Sequence, residues 1–116
     1  MNKQDQFIGA LVGCAIGDAL GAPLEGKSRE AIAQLDEITT TFRPYLSWKA
    51  VTPHPLGQYT DDTQLTLATV RSILKAGTVN GTAIATEFAA LWESGDIIGS
   101  GPVANHAVDR FIQGLP

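Results

Sequence analysis

The sequence carries a single cysteine, Cys14, in 116 residues. One thiol excludes an internal disulfide and cannot by itself build a thiolate metal site. Its apolar neighbours mark it as a small buried hydrophobe, in keeping with a reducing compartment. Clustered positive charge is also missing. Eight Lys and Arg lie scattered from Lys3 to Arg110 against twelve acidic residues, for a net charge of −4. Phosphate neutralisation needs basic residues grouped on one face, so no nucleic-acid partner is expected. A charge-free apolar run of about 20 residues is absent too. "FIGALVGCAIGDALGAPL" comes nearest, but Asp18 interrupts it, Asp5 precedes it and only Lys3 supplies a positive flank. Neither a signal peptide nor a membrane span is expected, and the location is read as cytoplasmic. Strand-like alternation of useful length does not occur, which leaves an all-α fold.

What is present fits one soluble domain. The chain is 44% hydrophobic and 17% charged. Its length suffices for one core burying roughly two thirds of the unfolded surface. Helical periodicity appears over residues 4–20, with Gly9, Gly13, Gly17 and Gly21 on one face. Interior glycine costs a helix about 1 kcal/mol relative to alanine, so a row of four implies close approach of something. That is either a tightly packed second helix or a ligand against the backbone. Pro23 ends this helix. A short helix follows in "KSREAIAQLDEI", capped by Ser28, with Ile32, Leu35 and Ile38 on its apolar side.

Residues 39–59 hold Pro44, Pro53, Pro55 and Gly57 and show no helical period, so they form a long irregular loop. Tyr45 and Trp48 either pack this loop down or line a pocket, and His54 reads as a surface or packing residue without a companion. Residues 61–76 are helical, with Leu65, Leu67, Ala68, Val70, Ile73 and Leu74 as the apolar stripe and Gly77 closing it. Thr82 is the expected cap of a helix over residues 83–94, with Ile84, Phe88, Leu91 and Trp92 inward. Pro102 opens a last helix to about residue 113.

Chemistry can sit in two places. In "YTDDT", Thr60 suits a helix N-cap and Asp61 and Asp62 suit the first turn, where carboxylates meet the positive end of the helix dipole. The same three oxygens can face a hard divalent ion, which takes six oxygen ligands including water. Adjacent carboxylates diverge, so they can address two ions about 4 Å apart. The two readings are compatible. In "ESGDIIGSGP", Gly99, Ser100 and Gly101 precede a helix start and offer either an ordinary turn or backbone N–H groups for an anion. Asp96 there is either an exposed turn residue or a carboxylate aimed into the site.

Together, "GALVGCAIGDALGAPLEG", "GQYTDDTQLTLATVRSIL" and "WESGDIIGSGP" resemble the ADP-ribosylglycohydrolase family in order and spacing. The resemblance implies the N-terminal portion of an orthogonal helical bundle of about five helices, with residues 1–116 forming a partial domain. It implies hydrolysis of the N- or O-glycosidic bond between ADP-ribose and an acceptor at a centre of two Mg²⁺ ions, with Mn²⁺ also suited. It assigns Thr60, Asp61 and Asp62 as metal ligands, and Glu25 and Asp96 as catalytic carboxylates. It places Gly99, Ser100 and Gly101 against the ribose or phosphates. The implied partner is an ADP-ribosylated protein or a small ADP-ribose derivative. The family's downstream Asp-x-Asp-Ser/Thr ligands have no counterpart here. A second expectation therefore stands beside the first: a truncated helical module that binds a cation or partner without turnover. A partial bundle is expected to expose apolar faces and self-associate through them.

Overall fold

The computed structural model describes residues 2–116. Five α-helices follow in order: α1 (Lys3–Gly21), α2 (Arg29–Ala33), α3 (Asp61–Ala76), α4 (Gly81–Ser94) and α5 (Pro102–Ile112). A 3-10 turn over Ala22–Leu24 extends α1. No strand occurs among the described residues, and the only β-type pairing there is an isolated antiparallel bridge between Tyr45 and His54. The fold class is all-α.

Each helix begins where a side-chain or backbone feature permits. Asn2 accepts from the Asp5 N–H at 2.9 Å and starts α1. Ser28 accepts from Ala31 at 3.1 Å and caps α2, as expected. That helix stops at Ala33, so Leu35 and Ile38 lie outside it and form no helical apolar side. Asn80, not Thr82, caps α4, its Oδ1 accepting from Ala83 at 2.9 Å. Both residue types cap well, and Asn80 falls where the backbone is still extended. Gly77 and Gly95 end α3 and α4 in left-handed conformations, where a glycine carries no Cβ penalty.

α1 packs on α3, α3 on α4, and α4 on α5. Every one of these helices sets a small residue into the contact region: Ala19, Ala68, Ala89 and Val108 are buried. Small side chains let helix axes approach closely, but they contribute little apolar area. The result is a slab of 45 × 40 × 23 Å. Its accessible surface is 7923 Å², against about 6100 Å² expected for a compact chain of this mass. The radius of gyration is 16.1 Å, against about 13.4 Å for a compact domain of this length. Burial thus reaches roughly 55% of the unfolded surface, short of the expected two thirds.

Much of the deficit lies on α1 and on the loop over residues 39–59, with Phe42, Leu46, Trp48, Val51 and Leu56 of the loop exposed. Phe7, Ile8, Val12 and Ile16 of α1 are all about half exposed or more. A Cβ added at Gly9, Gly13, Gly17 or Gly21 would meet nothing within 4 Å, so no described segment packs on the glycine row. By length and composition alone, residues Lys3–Leu24 are apolar enough to cross a membrane. Asp18 within that stretch is, however, bonded to the start of α3. Leu74, expected on the inward stripe of α3, is 78% exposed. It lies in the last turn, where Lys75 and not Leu74 reaches α4, by its bond to Glu87 at 2.5 Å.

Candidate functional site

Three segments converge at one end of the slab: the last turns of α1 with the 3-10 turn, the first turn of α3, and the loop between α4 and α5. They enclose a cavity of about 690 Å³ whose wall includes Asp18, Glu25, Thr60, Asp61, Asp62 and Gly99. The sequence-predicted metal ligands therefore share one surface, and Glu25 joins them from the far side of the 3-10 turn.

The start of α3 is built differently from the sequence expectation. Thr60 occupies the N-cap position, yet its side chain makes no capping bond to its own helix. Asp18 of α1 supplies the cap across the fold. Its Oδ2 accepts from the N–H groups of Thr60 at 2.8 Å and Thr63 at 3.1 Å. The two threonine hydroxyls also donate to it, Thr60 to Oδ1 at 2.7 Å and Thr63 to Oδ2 at 2.6 Å. A carboxylate accepts several charge-assisted hydrogen bonds, and here one side chain satisfies two orphan N–H groups and two buried hydroxyls. By giving its proton to Asp18, Thr60 Oγ1 keeps its lone pairs for another partner. The sequence offered a signal for this residue: Asp18 is the one charge inside the apolar stretch of α1.

Asp61 and Asp62 follow in the first turn. Burial pushes the Asp61 carboxyl above the ordinary carboxylate range, and the neighbouring Asp62 charge adds to that. The nearby Asp61 N–H and Thr60 side chain pull the other way, and Asp18 adds a further, smaller rise. A carboxylate destabilised by burial beside a like charge is the electrostatic condition that a cation relieves. Among the described residues, no three His, Cys, Asp or Glu side chains cluster closely enough to hold an ion on their own. The donor set is two carboxylates and a hydroxyl, which fits a hard ion that keeps water in its remaining positions.

The loop from α4 is tied to α3 by an amide clamp. Gln64 Nε2 donates to the Asp96 carbonyl at 2.8 Å, and Gln64 Oε1 accepts from the Ile98 N–H at 2.9 Å. The Asp61 N–H donates to the Ile98 carbonyl at 2.7 Å. Asp96 itself is exposed and does not line the cavity; its loop reaches the wall only at Gly99 and Gly101. Ser100 is 3% exposed, and its hydroxyl donates to Asn105 Oδ1 at 2.7 Å. Trp92 Nε1 donates to the same oxygen at 2.9 Å. The Ser100 side chain is thus committed to holding the loop. Any ligand role for residues 99–101 rests with their backbone N–H groups at the start of α5.

Gly99 is fixed by two constraints. Its φ is +81°, and a Cβ there would stand 2.8 Å from the Tyr45 hydroxyl and 3.5 Å from Asp61 Oδ1. Tyr45 is held in the long loop and cannot swing aside. Gly99→Ala is therefore expected to cost about 2 kcal/mol from left-handed strain, before the clash is counted. Urea denaturation of the variant checks this, and an unchanged midpoint would contradict the geometry. Burial raises the Tyr45 phenol above its ordinary pKa, with smaller contributions from Glu25, Asp61 and Asp18.

His54 does have companions. Its ring stacks on Tyr45 at 5.6 Å, and its Nε2 lies 3.0 Å from Ser47 Oγ. It packs the loop, and Trp48 on the same loop is 69% exposed beside a second cavity.

Comparison with known proteins bears on what this arrangement does. Residues 1–115 match the family model described as ADP-ribosylglycohydrolase. The chain is 35% identical over 108 residues to the ADP-ribosyl-[dinitrogen reductase] glycohydrolase of Rhodospirillum rubrum, covering 93% of this chain and 35% of that protein. It is 38% identical over 74 residues to an uncharacterized protein of Archaeoglobus fulgidus, covering 62% of this chain and 22% of that one. The chain spans about a third or less of the length of these curated relatives.

Proposed function

Because the chain belongs to the ADP-ribosylglycohydrolase family, we propose that its cavity contributes to hydrolysis of the glycosidic bond between ADP-ribose and a modified acceptor. The substrate would be an ADP-ribosylated protein, the class in the name of the Rhodospirillum relative, or a small ADP-ribose derivative. The observation that carries this reading is the meeting of Thr60, Asp61, Asp62 and Glu25 with Gly99 and Gly101 on one cavity wall. Oxygen donors and the glycine backbone adjoin there, with Asp61 Oδ1 3.5 Å from the Cβ position of Gly99.

Thr60, Asp61 and Asp62 would hold a divalent ion, Mg²⁺ or Mn²⁺, and in the proposed complete site two. Such ions supply an activated water and anchor sugar hydroxyls. The chain's own groups take the remaining tasks. Asp18 fixes the rotamer of Thr60 and leaves its lone pairs directed away from the shared proton. Glu25 stands on the cavity wall, where its carboxylate would accept a proton from water or a sugar hydroxyl. Asp96, at the exposed rim, would take part only after the loop moves inward. The N–H groups at residues 99–101 would take anionic oxygens of the ligand.

A second reading has its own support: the described residues contain no cluster of three or more His, Cys, Asp or Glu ligands, and the core is thin. On that reading the chain binds a cation or a partner without turnover. Calorimetric titration with Mg²⁺ and ADP-ribose, followed by chromatography of an ADP-ribosylated protein incubated with the chain, separates the two. Released ADP-ribose supports hydrolysis, and binding without release supports the second reading. No binding of either ligand would sink the first reading and the cation form of the second.

A further inference from the structure

Tyr45 is 8% exposed, and its backbone and ring are both tied to His54. Its backbone carbonyl accepts from the His54 N–H at 2.8 Å. The ring stacks on the His54 imidazole with an interplanar angle of 24°, and that imidazole is held by Ser47. The hydroxyl is a different matter. No described residue hydrogen-bonds to it, and unlike Ser72 Oγ it is not sealed from solvent, so it stays open to a partner in the cavity. It stands beside Gly99, so close that no side chain could occupy that position.

Gly99 is also where two cavities meet. The carboxylate cavity of about 690 Å³ shares Glu25, Gly99 and Gly101 with a neighbour of about 500 Å³ walled by Tyr45, Trp48 and Leu46. At the junction the ionised side chains, Glu25 and Asp61, can only accept hydrogen bonds. Beside the backbone N–H groups of residues 99–101, the Tyr45 phenol is a side-chain donor placed to meet a ligand oxygen passing between the chambers.

We infer that the Tyr45 hydroxyl is a ligand-positioning group, donating a hydrogen bond to an oxygen of a molecule that spans both cavities. The chemical class is a polyhydroxylated or phosphorylated ligand, and its identity as ADP-ribose rests on the proposed function. The accepting atom is a sugar hydroxyl or a phosphate oxygen. The exposed Trp48 indole then flanks the part of the ligand farthest from the carboxylates.

The test compares the whole 116-residue chain with its Tyr45→Phe variant, titrated with ADP-ribose and with inorganic diphosphate in the presence of Mg²⁺. One net hydrogen bond corresponds to about 3- to 10-fold in affinity. The variant should bind ADP-ribose weaker by that factor while its thermal midpoint stays unchanged, because the hydroxyl has no intramolecular partner to lose. An equal loss for diphosphate identifies a phosphate oxygen, and a loss confined to ADP-ribose identifies a sugar hydroxyl. A variant that binds as the parent does, or that loses affinity only together with stability, overturns the inference and leaves the family-based reading standing. A parent chain that binds neither ligand overturns both.

Discussion

Replacing Asp18 with alanine is expected to lower the unfolding free energy by about 3 kcal/mol or more, from the loss of a helix cap and the stranding of two buried hydroxyls. Its carboxylate accepts four hydrogen bonds from Thr60 and Thr63. Both threonines are nearly inaccessible, at 6% and 2% exposure, so water cannot replace the carboxylate without opening the seam between α1 and α3. Domains of this size are held by about 5–15 kcal/mol, and this one has a thin core. The loss is therefore a large share of the total. Asp18→Asn should fall between, since an amide keeps one accepting oxygen and turns the other position into a donor facing donors. Urea denaturation of the three proteins reads the order directly. An alanine variant within about 1 kcal/mol of the parent would mean that the threonines had found other partners.

The second large effect is a reversal of sign at Asp61. Its carboxyl titrates above the unfolded value, chiefly because it is buried and then because Asp62 lies beside it. The folded chain without metal therefore holds that proton more tightly than the unfolded chain does. This contribution to stability is fully present below the ordinary carboxylate pKa and is lost as pH rises through the raised value. At neutral pH the ionised group is a cost, so Asp61→Asn should stabilise the metal-free chain. The same substitution should weaken Mg²⁺ binding by roughly 10-fold or more, since even outer residues of metal sites matter that much. In the parent, Mg²⁺ at a hundredfold excess over Kd should add about 2.7 kcal/mol of stability. That gain should shrink in acid as protons compete for Asp61. Melting curves of both proteins from pH 4 to 8, with and without Mg²⁺, measure all of this. An asparagine variant that melts lower without metal, or that keeps the full Mg²⁺ response, would contradict the assignment.

These two residues show where reading the chain succeeds and where it stops. The period of α3, its acidic first turn and the glycine that ends it are local features, and they fixed the helix to the residue. The order of "GDALGAPLEG", "YTDDT" and "GDIIGSGP" sufficed to identify the family, and of the residues it singled out Glu25, Thr60, Asp61 and Asp62 line one cavity while Asp96 does not. Local rules failed where a competitor stood nearby in space or in sequence. Asn80 displaced Thr82 as a cap because it sat where the chain was still extended. Thr60 looked like the cap of its own helix, and a carboxylate 42 residues earlier does that work.

By itself, then, the sequence determined the all-α class, the limits of α3 and the chemical types gathered for the site, because each follows from spacing within a few residues. Only the tertiary structure decided how those groups face one another. It made Asp18 the cap of α3, left the Tyr45 hydroxyl unpartnered at the junction of two cavities, and set Asp96 on the rim. It also showed that four small residues in the helix contacts make a slab with one open apolar helix. Contacts across 40 or 50 residues leave no periodic trace in a sequence, since they depend on how helices cross and not on what lies next in the chain.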